Sequence, residues 1–294
     1  LKKRLLDNVL LLFIPTPKWP LLVYYLYSMF ISFVLALLLK LIGGIDMVYV
    51  RGSWLCLGLM AVKSLREKTI VKIPSIVEDE VFGVSKIILR MIFNIVDKVV
   101  VSKVRFVAAP SKVLFREFLK KRKIAVEDRR FIEIPAGIDF KVVERIKAKS
   151  RVGKKKNKFT VCFLGSLVWW QGVDILVKAI MVLYKKFGFH AKLLIIGDGP
   201  LRTAISRLLK VSNIDYDITG FIPHSRALAL LSEADVLVVP SKCTSTTECN
   251  VPIKIIEAWA LGVPVITVKH RIFESMGLRN GVHIVYCRPT PYDV

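Results

Sequence analysis

The stretch FTVCFLGSLVWWQGVDILVKAIMVLYKKFGFHAKLLIIGDGP, residues 159–200, decides the predicted fold. It reads as an apolar strand (Phe159–Gly165), an amphipathic helix (Asp174–Phe187) and a second apolar strand (Ala191–Gly197). A helix between two apolar strands predicts a parallel strand pair covered by its crossover helix. The expected fold class is therefore α/β.

The same alternation continues to the end of the chain. The further predicted elements are helix Pro200–Leu209, strand Asp217–Gly220, helix Ser225–Glu233, strand Asp235–Pro240, helix Pro252–Leu261, strand Pro264–Val268 and a strand near Val282–Cys287. In an open parallel sheet, ligands bind beyond the carboxyl ends of the strands. The loops that follow these strands are therefore where we expect a site.

A second α/β series precedes residue 159. Its predicted strands are Asp46–Val50, Thr69–Pro74, Phe106–Pro110 and Phe131–Pro135, with basic amphipathic helices between them. A length of 294 residues fits about two domains. We expect an N-terminal domain over residues 1–146, a basic linker over 147–158 and a C-terminal domain over 159–294.

Residues Trp19–Leu39 form an uncharged apolar run flanked by Lys18 and Lys40. As a helix, this run is long enough to cross a bilayer, and its aromatic residues cluster near one end, as in an interfacial belt. If it crossed inside an α/β domain, however, the strands before and after it could not pair. Two arrangements remain: a buried or interface-lying helix of the N-terminal domain, or an anchor that precedes the whole fold. Membrane contact is compatible with both.

The charge and the cysteines limit the classes of partner and site. The formal net charge is +23, which favours anionic partners such as phospholipid, phosphorylated small molecules or nucleic acid. No aromatic residues interleave with the lysines of the 147–158 run for base stacking, so we expect no nucleic-acid partner.

The five cysteines are odd in number and form no C-x-x-C, so neither a disulfide framework nor a metal site is expected.

Three glycine-containing loops follow predicted strands. Gly165 ends the first strand and allows a ligand to approach the backbone closely. The turn Gly197–Asp198–Gly199, followed by Pro200, is expected to offer free backbone N–H groups to a phosphate. In the third loop, Phe221 and Ile222 are placed to border a nucleobase.

The segment Pro240–Ile266 carries the charged candidates. Lys254 and Glu257 lie three residues apart near the start of a helix that opens at Pro252, so they share one face. An ammonium group beside a helix N-terminus suits a diphosphate, and a carboxylate accepts two hydroxyl hydrogen bonds, as from a ribose diol. Ser241 ends the preceding strand, and Glu248 lies in the polar loop between strand and helix.

The ordered motifs Gly165-Ser166 with Gly172-Val173-Asp174, then GDGP, GFIP, ADVLVVPS and P-x-K-x-x-E-A-x-A-x-G-x-P-V-I resemble the donor domain of retaining family 4 glycosyltransferases. The resemblance covers about Phe159–Val268. It implies the GT-B fold of two Rossmann-like domains and a nucleotide-diphosphate sugar donor. It also implies transfer with retention of configuration and no obligatory metal or other cofactor.

The resemblance assigns roles to individual residues. Glu257 matches the family's ribose-binding glutamate, and Glu248 falls near its sugar-contacting glutamate, although eight residues separate the two here instead of seven. Ser166 and Gln171 stand where the family usually places the Arg and Lys that hold the diphosphate. Lys254 and the helix N-termini are then expected to stabilise the departing diphosphate.

The first half is similar to the family's N-terminal domain mainly in PSKVLFREFLKKRK…RFIEIPAGIDF, Pro110–Phe140. We expect the family's first strand to precede Leu1 and its closing helix to follow Val294, so that the chain is part of a longer enzyme. The expected acceptor is a glycan or lipid-linked molecule, at the cytoplasmic face of the cell membrane. The alternatives are a GT-B nucleotide-sugar epimerase, and a non-catalytic basic protein that binds membrane or nucleic acid.

Overall fold

A computed structural model describes residues 2–6, 9–13, 21–76, 84–150 and 158–294. The chain forms two compact units, Leu1–Ile134 and Pro135–Val294, called here the N-terminal and C-terminal units. Each contains a parallel sheet with helices, so the predicted α/β class is confirmed. A separate antiparallel pair, β1 (Lys2–Leu6) and β2 (Val9–Phe13), precedes the N-terminal sheet.

The C-terminal unit is built on a six-stranded sheet in which every neighbouring pair is parallel. Its strands are β7 (Thr160–Leu164), β8 (Lys192–Ile196), β9 (Asp215–Ile218), β10 (Val236–Val239), β11 (Val265–Val268) and β12 (Val285–Cys287). The spatial order β12-β11-β10-β7-β8-β9 is that of a doubly wound Rossmann sheet. Its topological switch point lies between β7 and β10, where such sheets bind ligands.

The helices of this unit are α5 (Phe140–Ser150), α6 (Val173–Phe187), α7 (Arg202–Lys210), α8 (His224–Ser232), α9 (Ser245–Cys249), α10 (Ile253–Leu261) and α11 (Arg271–Ser275). The apolar residues of α6 recur with helical spacing, and Val173, Leu176 and Ile180 are buried in one core with Leu193 and Ile195 of β8. This packing fixes the carboxyl ends of the strands and the amino ends of the helices at one edge of the sheet.

Helix α5 corrects the predicted linker. It runs to Ser150, so residues 147–150 are helical, and residues 151–157 lie outside the described part of the chain. The helix belongs to the C-terminal unit, whereas residues up to 146 were predicted in the N-terminal domain. The physical reason is its amphipathic pattern: Val143 and Ile146 are buried, and α5 packs against α8 and α10.

Three elements near the predicted site also differ from prediction. Strand β9 ends at Ile218 instead of Gly220, and Gly220 itself adopts a positive φ of 68°, outside the range of extended strands. Helix α7 begins at Arg202 instead of Pro200. The polar loop before α10 contains the short helix α9, which is capped reciprocally by Thr244 and Thr247.

The N-terminal unit contains a four-stranded parallel sheet in the order β3-β4-β5-β6. Its strands are β3 (Val48–Arg51), β4 (Thr69–Lys72), β5 (Phe106–Ala109) and β6 (Phe131–Glu133), and its helices are α1 (Leu21–Ile42), α2 (Lys63–Arg66), α3 (Val84–Lys103) and α4 (Lys112–Arg122). All four strands fall within or beside the predicted ones.

Helix α1 is long and apolar enough over Leu22–Ile42 to cross a membrane, and one of its faces is packed on the N-terminal unit. The Ser32 hydroxyl, which is fully buried, accepts a hydrogen bond from the Gly58 backbone N–H at 2.8 Å. A Cβ at Gly58 would overlap the backbone of α1, so glycine permits this close approach. Residues 19 and 20 of the predicted apolar run lie outside the described residues.

A buried polar cluster lies within the N-terminal unit. The Arg122 Nε on α4 lies 2.5 Å from Asp97 Oδ2 on α3, and both side chains are 4% exposed. The Ser53 hydroxyl donates to the other oxygen of Asp97. Because the carboxylate is withdrawn from water, its bonds to Arg122 and Ser53 offset the free-energy cost of burying it.

Candidate functional site

The loops that follow β7 and β10 are held against each other at the switch point. Gly172 has a φ of 72°, and a Cβ there would overlap the carbonyl oxygen of Pro240. The Lys242 backbone N–H donates to the Trp170 carbonyl at 2.9 Å. The two loops that flank the ligand-binding crevice of a doubly wound sheet are thus fixed together by backbone contacts.

The loops after β7 and β8 also touch through glycines. The Gly165 N–H donates to the Ile196 carbonyl at 2.9 Å. A Cβ at Gly197 would overlap the Gly165 carbonyl oxygen, and one at Gly199 would lie 2.7 Å from the Leu167 carbonyl oxygen. Both glycines have φ values between 140° and 160°, which disfavours any other residue. The structure therefore brings together the first two predicted loops.

Lys254 reaches into this contact from α10. Its Nζ donates to Gln171 Oε1 at 2.7 Å and lies 5.2 Å from the centre of the Phe163 ring. A Cβ at Gly165 would overlap this nitrogen. We call Gly165, Gln171, Gly197 and Lys254 the switch-point cluster. It places one ammonium group at the carboxyl end of β7, as the strand-end pattern predicts.

Lys254 is 8% exposed. The environment of its ammonium group lowers the pKa of that group. Burial lowers the pKa of Lys254 to about 8, against the opposing influence of Glu257 and Cys162. Helix α10 begins one residue earlier, after Pro252, with no side-chain cap. The positive end of the helix dipole therefore adds to the charge of Lys254.

Glu257 lies one turn further along α10 and faces the start of α8. Its side chain is 4% exposed, and Oε1 lies 2.7 Å from His224 Nε2. The imidazole is 68% exposed and covers a carboxylate that is otherwise buried. The sequence places His224 after a strand end but gives no sign of this pairing, which depends on the packing of α8 beside α10.

The GDGP turn differs from the prediction of free amide groups. The Gly199 N–H donates to Asp198 Oδ1 at 2.8 Å, and the Leu201 and Arg202 N–H groups donate to backbone carbonyls. Two hydrogen bonds lower the pKa of Asp198. The larger effect comes from the Gly199 N–H, and the smaller comes from the Arg202 guanidinium, whose nitrogen lies 2.6 Å from Oδ2. The Asp198 carboxylate thus accepts a hydrogen bond within its own turn. The N–H groups of Gly199, Leu201 and Arg202 already have acceptors within the protein, so they are not free to bind a phosphate.

Phe221 and Ile222 follow β9 in the third predicted loop. Phe221 is 92% exposed and Ile222 is half-buried. Ser166 is exposed in the first loop. These three side chains are accessible to a ligand at the strand-end edge of the sheet.

Ser241 and Glu248 form a separate group with His270. Ser241 Oγ lies 3.1 Å from His270 Nε2, and His270 Nδ1 lies 3.1 Å from Glu248 Oε1. The Arg271 N–H donates to Glu248 Oε2 at 3.1 Å. Burial alone would raise the pKa of Glu248, but the bonds from His270 and Arg271 bring it below its usual value. Ser241 and Glu248, which were both predicted to contact a ligand, thus have hydrogen-bond partners within the protein.

Comparison with known proteins gives a family match for the C-terminal unit. Residues 158–290 match the family described as Glycosyl transferases group 1. An uncharacterized glycosyltransferase of Methanocaldococcus jannaschii, MJ1069, is 27% identical over 148 residues, which cover 49% of this chain and 36% of the relative. The 2-deoxystreptamine N-acetyl-D-glucosaminyltransferase of Niallia circulans is 31% identical over 135 residues, which cover 45% and 32%. The chain spans about a third of the length of these relatives.

Solved structures match both units. Anabaena HepE in complex with UDP and glucose has a TM-score of 0.64 at 14% identity, covering 92% of this chain and 69% of that chain. Sucrose-phosphate synthase of Thermosynechococcus elongatus has a TM-score of 0.65 at 17% identity, covering 94% and 67%. The fold is therefore the GT-B fold of glycosyltransferases. The family match of residues 158–290 is to glycosyltransferases, and these findings do not favour the epimerase alternative.

Proposed function

We propose that this chain forms the donor-binding part of a retaining glycosyltransferase that moves a hexosyl unit from a nucleotide-diphosphate sugar to a glycan or lipid-linked acceptor. The observation that carries this proposal is the buried Lys254 ammonium group beneath Gly165 at the switch point of a Rossmann sheet. The UDP bound to Anabaena HepE supports a nucleoside diphosphate as the ligand.

In this function, Lys254 and the amino end of α10 stabilise the negative charge of the departing diphosphate. Such donors act most strongly where water is excluded, and Lys254 is buried. Gly165 leaves room for the ammonium group itself, and Gly197 leaves room for the Gly165 carbonyl, so the two loops and Lys254 pack closely at the switch point. Gln171, which accepts a hydrogen bond from Lys254, orients its Nζ without adding the second positive charge that the family usually has.

Glu257 accepts the hydroxyl hydrogen bonds of the nucleotide ribose. Because the His224 imidazole covers Oε1, rotation of the imidazole opens that oxygen to a ribose hydroxyl. The high exposure of His224 leaves room for that rotation. Phe221 is exposed on the loop between β9 and α8, and in this function it contacts the base of the nucleotide.

Replacing Glu257 with alanine tests this function in the full-length protein. Loss of two hydrogen bonds to a charged acceptor, at about 1.5 kcal/mol each, is expected to weaken UDP binding about 100-fold and to abolish sugar transfer. The measurements are equilibrium binding of UDP-, GDP- and ADP-sugars and release of nucleoside diphosphate with acceptor present. Glu233→Ala, an exposed carboxylate at the other end of α8, is the matched control and should leave both values unchanged. Unchanged turnover in Glu257→Ala would remove the assignment.

An exposed apolar surface on the N-terminal unit supports contact with an anionic membrane as part of this function. On α1, Phe30 and Leu37 are 65% and 61% exposed, and on α3, Met91 and Ile95 are both 67% exposed. The helices meet where Tyr25 and Phe93 pack edge to face at 5.0 Å. Since α1 packs its other face on its own unit, we propose that this surface lies in the membrane interface and does not span it.

Exposed cations accompany this surface. Lys40 lies in the last turn of α1, and Arg90, Lys98 and Lys103 lie exposed along α3. Positive charge of this kind attracts anionic headgroups, by about 1 kcal/mol for each residue near the lipid surface. The surface therefore fits the cytoplasmic face of a membrane, where a lipid-linked acceptor would be presented.

The double variant Phe30→Ser/Leu37→Ser is expected to bind vesicles containing anionic phospholipid at least about tenfold more weakly, because two large apolar side chains no longer enter the interface. Vesicle flotation of the full-length protein measures this. Phe187→Ser, which removes a side chain 65% exposed on the C-terminal unit, is the control. Equal flotation of both variants would show that membrane contact lies elsewhere.

A further inference from the structure

Three side chains with different metal-binding atoms converge beside the carboxyl end of β10. The Sγ of Cys243, a carboxylate oxygen of Glu248 and a ring nitrogen of His270 all lie within 4.8 Å of one another. We propose that this Cys–Glu–His cluster binds a thiophilic divalent cation, Zn²⁺. Lys254 and Glu257, on which the proposed sugar transfer is argued, take no part in the cluster, so zinc binding is tested separately from it.

The spacing of the donor atoms suits tetrahedral zinc. Zinc bonds to nitrogen and oxygen are about 2.0–2.1 Å long, which at tetrahedral angles places two such ligand atoms about 3.3 Å apart. His270 Nδ1 and Glu248 Oε1 are already 3.1 Å apart. The sulfur of Cys243 would need to lie about 3.6 Å from the nitrogen. Cys243 is exposed on the loop before α9, so its side chain can adjust to that distance.

A second layer of hydrogen bonds orients two of the ligands. His270 is 1% exposed, and its Nε2 lies 3.1 Å from the hydroxyl of buried Ser241. With a metal at Nδ1, Nε2 carries the proton and donates it to Ser241, the usual arrangement of a metal-bound histidine. Glu248 Oε2 accepts from the Arg271 N–H, which leaves Oε1 directed at the imidazole. Bond formation at sulfur releases the thiol proton to solvent.

The chemistry of the donor set favours zinc over magnesium or calcium. A thiolate and an imidazole are soft and borderline ligands, whereas magnesium and calcium prefer oxygen. Three protein ligands leave a fourth position open on the exposed side, where Cys243 lies. The ligands are separated by 5 and 22 residues, unlike the short pairs of familiar zinc motifs, so the sequence alone predicts no metal site.

Zinc and cadmium titration of the metal-stripped full chain tests the proposal. We expect one equivalent of Zn²⁺ to compete with a chromophoric chelator, and Cd²⁺ to give a thiolate charge-transfer band in the ultraviolet. Cys243→Ser should remove the band, and Glu248→Gln should weaken zinc binding at least about tenfold. Cys287→Ser, a partly exposed thiol outside the cluster, is the matched control and should retain both signals.

Each alternative outcome has a distinct meaning. A band that survives in Cys243→Ser, or the absence of stoichiometric zinc binding, would overturn the proposal. A band lost in Cys243→Ser with unchanged zinc affinity in Glu248→Gln would show a lone reactive thiol and would also overturn it. Because His270 is buried, its replacement risks misfolding, so Ser241→Ala serves instead and is expected to weaken zinc binding about 10- to 100-fold with the fold intact by circular dichroism.

Discussion

Replacing Asp97 with alanine is expected to lower the free energy of unfolding of the N-terminal unit by about 3–5 kcal/mol, because the variant removes the buried carboxylate that pairs with the Arg122 guanidinium. The Ser53 hydroxyl loses its acceptor at the same time. Hydrogen–deuterium exchange of amides in β3, β4 and β5 measures the change in this unit directly. Peptides from the C-terminal unit serve as an internal reference within the same sample.

The matched control is an exposed ion pair in the same unit. Glu127 and Arg129 have side chains 62% and 82% exposed, and Glu127→Ala should change the opening free energy by no more than about 1 kcal/mol. A loss below about 1 kcal/mol in Asp97→Ala as well would contradict the importance assigned to the buried cluster. Each variant removes one carboxylate from an arginine, so the difference between them reports burial together with the added Ser53 contact of Asp97.

Replacing Lys254 with methionine is expected to lower kcat/KM for sugar transfer by about 10²- to 10³-fold, because the proposed diphosphate loses its buried cation. Methionine keeps an unbranched side chain of similar length at this buried position, so the C-terminal unit should remain folded. The control is Lys185→Met, which removes an exposed ammonium group from the last turn of α6, at the end of that helix away from the switch point. This variant should leave turnover unchanged.

The pH dependence of UDP binding gives an independent readout of Lys254. Burial lowers the pKa of Lys254 to about 8, so the ammonium group is present below that pH and is lost above it. Wild-type affinity for UDP should therefore fall as the pH rises through about 8, and the Lys254→Met variant should lack this fall. An unchanged pH profile in the variant would show that another group holds the diphosphate.

The arrangement of the switch-point cluster could be predicted from sequence because it depends on regular structure. The carboxyl ends of parallel strands meet at one edge of a sheet, so the loops at Gly165 and Gly197 were expected there together. Lys254 and Glu257 share a helix face because they lie three residues apart. These relations follow from the helical repeat and the direction of the strands, both of which are visible in the spacing of apolar residues.

The parts that sequence did not predict depend on side-chain hydrogen bonds. The GDGP turn predicts open amides, but Asp198 can accept from Gly199, and only the structure shows that it does. Glu248 is bound by His270, which lies 22 residues away in the chain. Such partners are set by how two loops pack, and no periodic pattern encodes that packing. The role of Glu248 in sugar contact stays a prediction.

Helix α5 has a practical consequence for dividing the chain. A recombinant fragment that starts at residue 159, the beginning of the β7 region, would omit Val143 and Ile146 and leave uncovered the apolar sides of α8 and α10 on which α5 packs. Those two helices carry His224 and Glu257. An excised donor half therefore needs to start upstream of Phe140, in the segment between β6 and α5, if it is to stay soluble and keep its nucleotide-facing geometry.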